Sequence, residues 1–187
     1  MREVKMQGVH LQERQKRLLE LLEESGPSLH VLLARLTLRQ DAAENLMQEL
    51  FLKLSQSSGL DRARNRDAYA RKAAINLAFD WRRKQKHREV SLDKVAEPAN
   101  AGEAVVDDLI HREELAEVLD AVGRLNKVSR DSVVMRYIDD RSYDYIAEQL
   151  QMTPHHIRAV CHRARQGLMH ILNRGRSAQS GKESGDV

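Results

Sequence analysis

Cysteine occurs once in 187 residues, at Cys161, so no intrachain disulfide can form, as befits a reducing compartment. No apolar run approaches the roughly 20 residues that a membrane-spanning helix requires, and no apolar signal-peptide core follows Met1. A soluble, cytoplasmic protein without membrane insertion is expected. Aromatic residues make up only 4%, and β-branched runs and hairpin dipeptides such as Asn-Gly are missing, which argues against sheets. There is no glycine-rich phosphate loop and no nucleophile–base constellation. Eight histidines are present, yet none forms an i, i+4 pair beside a carboxylate, and Cys161 falls on an apolar stripe. Catalysis, a metal site and a cofactor are therefore not expected.

What is abundant is Leu, Ala, Glu, Arg and Gln, all good helix formers. Hydrophobic residues reach 41% and charged ones 32%, which suits small helical units with solvated outer faces. The fold class expected is all-α, in two small helical domains joined by a flexible linker. Net charge is only +3, but its distribution is uneven. Residues 62–88 carry ten Lys/Arg against two acids, a balance of +8. Residues 89–120 carry ten acids against Lys94 and Arg112, a balance of −8. Residues 154–176 carry five Arg and no acid, a balance of +5. Two basic blocks around an acidic one point to a nucleic-acid partner touched at two places.

Apolar spacing predicts a helix over residues 9–24 that stops at Gly26-Pro27, and a second over 27–36 carrying Leu29, Leu32, Leu33 and Leu36. A third starts at Asp41, which caps it with Glu44 in a capping-box pattern. It buries Ala43, Leu46, Met47, Leu50, Phe51 and Leu54. After a loop at 55–59, a fourth helix over 67–86 buries Ala70, Ala74, Leu77, Ala78 and Trp81. These four make the first domain. Residues 89–107 lose periodicity around Pro98 and Gly102 and read as a linker. Three or four further helices follow from Leu109 to Leu172, and the tail 173–187 has the composition of a disordered segment.

The most informative stretch is 142–172. Ser142 caps a short helix with Ile146, Ala147 and Leu150; Gln151 and Met152 turn; Thr153 caps a second helix with Pro154 in its first position, where the missing amide costs nothing. That second helix buries Ile157, Val160, Cys161, Ala164 and Leu168. The pattern is a helix-turn-helix, whose second helix enters the major groove. His155, His156, Arg158, His162, Arg163, Arg165 and Gln166 are left to face DNA, where arginine reads guanine or holds phosphate. On the 67–86 helix, Lys72, Asn76, Asp80, Arg83 and His87 share one face, with Ile75, Phe79, Arg82 and Lys86 beside it. Cations interleaved with an exposed aromatic and an amide suit single-stranded DNA; the bland alternative puts Ile75 and Phe79 in the core. The outer face of the Asp41 helix, with Glu44, Asn45, Gln48, Glu49 and Leu52, is acidic and suits a protein partner or plain solvent.

These segments, in this order, resemble the extracytoplasmic-function (ECF) group of sigma-70 factors. Asp41-Ala42-Ala43-Glu44-Asn45-Leu46-Met47-Gln48-Glu49-Leu50-Phe51 is similar to region 2.2. Residues 69–83 are similar to regions 2.3 and 2.4, with an A-x-N-x-x-x-D-x-x-R pattern at Ala74, Asn76, Asp80 and Arg83. Ser91-Leu92-Asp93 matches the phrase that often follows. Ser142-Tyr143-Asp144-Tyr145-Ile146-Ala147 and His162-Arg163-Ala164-Arg165 are similar to region 4.2. Asn45 stands where the family usually has Asp, and Val160 where it usually has a basic residue.

The resemblance implies a four-helix region 2 over residues 1–88, an acidic linker over 89–108, a helix-turn-helix region 4 over 109–172 and a tail over 173–187. Asp41, Glu44, Asn45, Gln48, Glu49 and Leu52 would dock on core RNA polymerase at its clamp helices, with region 4 meeting the flap. Arg71, Lys72, Asn76, Phe79, Asp80, Arg82 and Arg83 would open and read the −10 element, with the 55–66 loop holding a flipped base. His155, His156, Arg158, His162, Arg163 and Arg165 would face the −35 duplex. The expected function is an alternative sigma factor, against a helix-turn-helix regulator that leaves the resident sigma factor in place. An anti-sigma factor is a common partner in the group, though no residue here identifies one.

Overall fold

The computed structural model describes residues 2–92 and 103–183, with side chains described over 13–88 and 111–174. Among the described residues every regular element is a helix. They are α1 (Arg2–Thr37), α2 (Gln40–Gln56), α3 (Ser58–Arg62), α4 (Arg66–Leu92), α5 (Glu103–Gly123), α6 (Lys127–Val133), α7 (Tyr143–Leu150) and α8 (Pro154–Glu183). α6 runs directly into a wider π-turn, Val134–Ile138. The chain divides into two compact units, Met1–Arg83 and Lys84–Val187.

In the first unit the two helices expected on either side of Gly26-Pro27 are one. α1 passes through Pro27 without a break. Proline normally breaks a helix because it lacks the amide and crowds the carbonyl four residues back. Here Ser28 Oγ donates to the Ser25 carbonyl at 2.8 Å, and apolar burial on both sides of the proline keeps the axis continuous. Leu18, Leu21, Leu29, Leu32, Leu33 and Leu36 are all buried. The helix ends at Thr37, where Leu38 takes the left-handed conformation at φ 58° and its amide returns to the Ala34 carbonyl at 2.9 Å.

α2 packs along α1 through Ala42, Ala43, Leu46, Leu50 and Leu54. Its start differs from expectation. Arg39 flanks the helix without a side-chain cap, and Asp41 is spent on Arg39 instead, with bonds of 3.1 and 2.6 Å. The 55–59 loop is also shorter than expected, because Ser57 caps α3 by accepting from the Gly59 amide at 3.1 Å. Tyr69 of α4 closes over this turn, its hydroxyl 2.7 Å from Ser57 Oγ. A β-carbon on Gly59 would lie 2.5 Å from that hydroxyl, so glycine is what lets the ring come this close.

α4 is more deeply set than one amphipathic stripe predicts. Beyond Ala70, Ala74, Leu77 and Ala78, Ile75 and Phe79 are also buried, at 0% and 3% exposure; Trp81 is only half-buried. Alanines at 68, 70, 74 and 78 let neighbouring elements approach α4 from more than one side.

In the second unit α6 and α7 both pack on α8. Asn126 caps α6 by accepting from the Ser129 amide at 2.9 Å. Arg130 and Asp131 are buried together, the guanidinium donating to Asp131 Oδ1 at 3.1 and 2.9 Å. Two departures concern the ends. α5 begins at Glu103, ahead of the expected Leu109, and α8 continues to Glu183 through most of the tail read as disordered. Residues 93–102, the centre of the expected linker, and 184–187 lie outside the described residues.

Candidate nucleic-acid and polymerase interfaces

Two capped helices meeting at a tight turn dominate the second unit. Ser142 Oγ accepts from the Tyr145 amide at 3.1 Å at the start of α7. α7 ends on Gln151 in the left-handed conformation, φ 55°, with the Met152 amide returning to the Ala147 carbonyl at 2.9 Å. Thr153 Oγ1 then accepts from the His156 amide at 3.2 Å and starts α8 at Pro154. Ile146 and Ala147 from α7 and Ile157, Val160, Cys161 and Ala164 from α8 are buried; Leu168 is only half-buried. This is a helix-turn-helix, formed as its caps and apolar spacing predict.

With that seam inside, His155, His156, Arg158, His162, Arg163, Arg165 and Gln166 are exposed. No acid stands among residues 154–176. Such a face offers cations and hydrogen-bond donors to a duplex and nothing that repels phosphate. Cys161 is a core residue, and burial pushes its thiol pKa up. Val160 is in the same seam, 7% exposed.

On α4 the expected surface splits in two. Lys72, Asn76 and Asp80 are half-buried and Arg83 exposed, in one stripe at helical spacing. Arg83 and Asp80 pair at 2.5 Å, and Arg82 reaches the Leu36 carbonyl at 3.4 Å. Phe79, the aromatic expected outside, is in the core. Arg71 is inside too, 2% exposed, donating to Asp67 Oδ2 at 2.9 Å and to Ser28 Oγ at 2.8 Å. The i, i+4 spacing of Asp67 and Arg71 was the available signal for that inner pair.

α2 presents Asp41, Glu44, Asn45, Gln48, Glu49 and Leu52, all exposed. Phe51, assigned to the core by spacing, is instead 40% exposed beside Leu52 at 56%. The face is thus acidic with two exposed apolar side chains toward its C-terminal end, which suits a protein partner better than DNA. The Arg39 guanidinium beside Asp41 holds its carboxyl pKa below the ordinary value, so the carboxylate stays ionised while Arg39 offsets its charge, and Glu44 and Glu49 carry the acidity of the face.

Residues 21–88 match the family model of sigma-70 region 2, and residues 115–168 that of sigma-70, region 4. The chain belongs to the sigma-70 family of RNA polymerase sigma factors. Region 2 followed by region 4 accords with the ECF group that the motifs resemble. The RNA polymerase sigma factor CarQ of Myxococcus xanthus is 28% identical over 156 residues, covering 82% of this chain and 87% of CarQ. Two solved structures are also similar. CnrH in complex with the cytosolic domain of CnrY has a TM-score of 0.49 and 19% identity, covering 86% of this chain and 90% of that one. RpoE in complex with the anti-sigma factor NepR from Bartonella quintana has a TM-score of 0.46 and 20% identity, covering 85% and 96%.

The protein is thus an alternative sigma factor that binds core RNA polymerase and directs transcription from specific promoters. The reading as a regulator working beside the resident sigma factor is not favoured, because region 2 has no place in it. Among the described residues no helix is long and apolar enough to cross a membrane.

Proposed function

We propose that this sigma factor divides its work among three surfaces. The α2 face of Asp41, Glu44, Asn45, Gln48, Glu49 and Leu52, enlarged by Phe51, docks on the polymerase clamp helices. The α4 stripe of Lys72, Asn76, Asp80 and Arg83, with Arg82 beside it, meets the −10 element as it opens. The α8 face of His155, His156, Arg158, His162, Arg163 and Arg165 meets the −35 duplex. Arg71 and Phe79 serve the −10 surface from beneath, by fixing the helix that carries it. Domain limits near residues 88 and 109, with the acidic stretch between them as a tether, follow from the same reading. The factor acts by binding alone, in the cytoplasm where the polymerase is.

The observation that carries this division is the contrast between two exposed helix faces, α8 with arginines and no acid and α2 with carboxylates and two exposed apolar side chains. The first complements phosphate, the second repels it. Adding the full-length protein to core polymerase on a library of random promoter sequences tests the whole. Initiation confined to a recoverable sequence class is the expected result. Glu44→Lys with Glu49→Lys should abolish capture of core polymerase without shifting thermal unfolding. Capture at the wild-type level would overturn the α2 assignment.

A further inference from the structure

Tyr143, the first residue of α7 and half-buried, lies outside all three surfaces, yet two guanidiniums rest on its ring. The central carbon of Arg136, from the π-turn, is 4.9 Å from the ring centroid. That of Arg158, from the α8 face, is 5.3 Å away. Arg136 is fixed by other partners as well. Its Nη1 donates to the Arg141 carbonyl at 3.0 Å and lies 3.7 Å from Asp140 Oδ1. Arg158 is different. Among the described residues its guanidinium has one polar or aromatic partner, the Tyr143 ring.

Arg158 and Arg165 are seven residues apart, two turns along one side of α8. Of the two, Arg158 is the one whose guanidinium lies over an aromatic ring among the described residues.

An arginine that swings freely loses that freedom when it binds DNA, which weakens binding; one already laid on a ring loses less. The ring face attracts the cation without consuming its N–H donors, so the guanidinium edge stays available to phosphate or base. We propose that Tyr143 is a positioning residue of the −35 surface, holding Arg158 extended toward the duplex before contact is made. This rests on the reading of α8 as the −35 helix.

The test uses reconstituted holoenzyme and a duplex that the wild-type holoenzyme has selected from random sequence. Arg158→Ala should weaken binding about tenfold, within the range for a good arginine contact. Tyr143→Leu should weaken it about threefold, the scale of an exposed cation–π contact. Tyr143→Phe, which keeps the ring, should stay within about twofold of wild type. The double variant Tyr143→Leu/Arg158→Ala should bind as Arg158→Ala alone does, because the ring has nothing left to hold.

Losses that multiply in the double variant would overturn the positioning role while leaving the −35 reading intact. So would equal losses in Tyr143→Phe and Tyr143→Leu. Wild-type binding by Arg158→Ala would overturn both. Should Tyr143→Leu melt early, Arg158→Lys supplies the test with the tyrosine untouched. Lysine keeps the charge but not the flat stacking group, so a loss of about threefold supports the proposal, and wild-type binding rejects it.

Discussion

Arg71 and Lys72 are neighbours in sequence with opposite fates. Arg71 is enclosed between Asp67 and Ser28, whereas Lys72 lies on the half-buried outer stripe. Removing one member of an enclosed ion pair leaves the other charge without its partner. Arg71→Ala should therefore cost about 2–4 kcal/mol, below the top of the range because the Asp67 side chain keeps some solvent. Lys72→Ala should stay within about 0.5 kcal/mol and weaken promoter opening instead. Urea unfolding of the two variants, set beside open-complex formation, separates them. Equal stability would show that Arg71 is not the buried anchor the geometry makes it. Cys161 gives a pH signature at the same scale. Burial raises the thiol pKa above its ordinary value of 9.0, with Arg136 opposing in part. The folded state therefore favours the protonated thiol. Its contribution is complete below the unfolded value and is lost as pH rises through the higher folded one. Unfolding between about pH 8 and pH 10.5 should show a steeper alkaline decline for wild type than for Cys161→Ala. Parallel curves would mean that the thiol ionises as freely in the fold as outside it.

Single elements show best what the sequence exposes and what it hides. The helix-turn-helix is legible because its signals are local. Ser142, Thr153 and Pro154 act within one turn of where they stand, and the buried stripe of α8 needs only the helical period. The same caps yield a prediction. Ser142→Ala and Thr153→Ala should each cost about 1 kcal/mol, read as a lower thermal midpoint, and together they should add, since they cap different helices. A midpoint unmoved by both would mean that α7 and α8 are held by packing alone. Pro27 misled for the opposite reason. Its local rule says stop, but leucines buried on both sides of it hold α1 together. Phe51 and Phe79 exchanged places for a related cause. Spacing along one helix says which residues share a face, and not how many faces the rest of the molecule covers. α4 is covered broadly, so Phe79 goes inside; α2 is covered on one side, and Phe51 remains partly outside.

At the scale of the molecule, charge separation was readable directly, because a run of like charges needs no structure to be seen. What it does there is electrostatic and has a measurable form. Each phosphate neutralised on a duplex releases condensed counterion, so log K against log salt falls with a slope of about 0.9 per contact. Single-stranded DNA gives about 0.7. If Arg158, Arg163 and Arg165 all meet phosphate, replacing them together by Ala should flatten the −35 duplex slope of the holoenzyme by about 2.7. A smaller change, with relaxed sequence preference at one base pair, marks one of them as a base reader instead. Lys72→Ala with Arg83→Ala should leave the duplex slope alone and flatten that of single-stranded −10 DNA, by up to about 1.4. Two modules with separate duties must respond to salt separately. If the α4 variant instead flattens the −35 slope as much as the α8 variant does, the two basic blocks act as one unspecific cloud. The assignment of one promoter element to each would then fail.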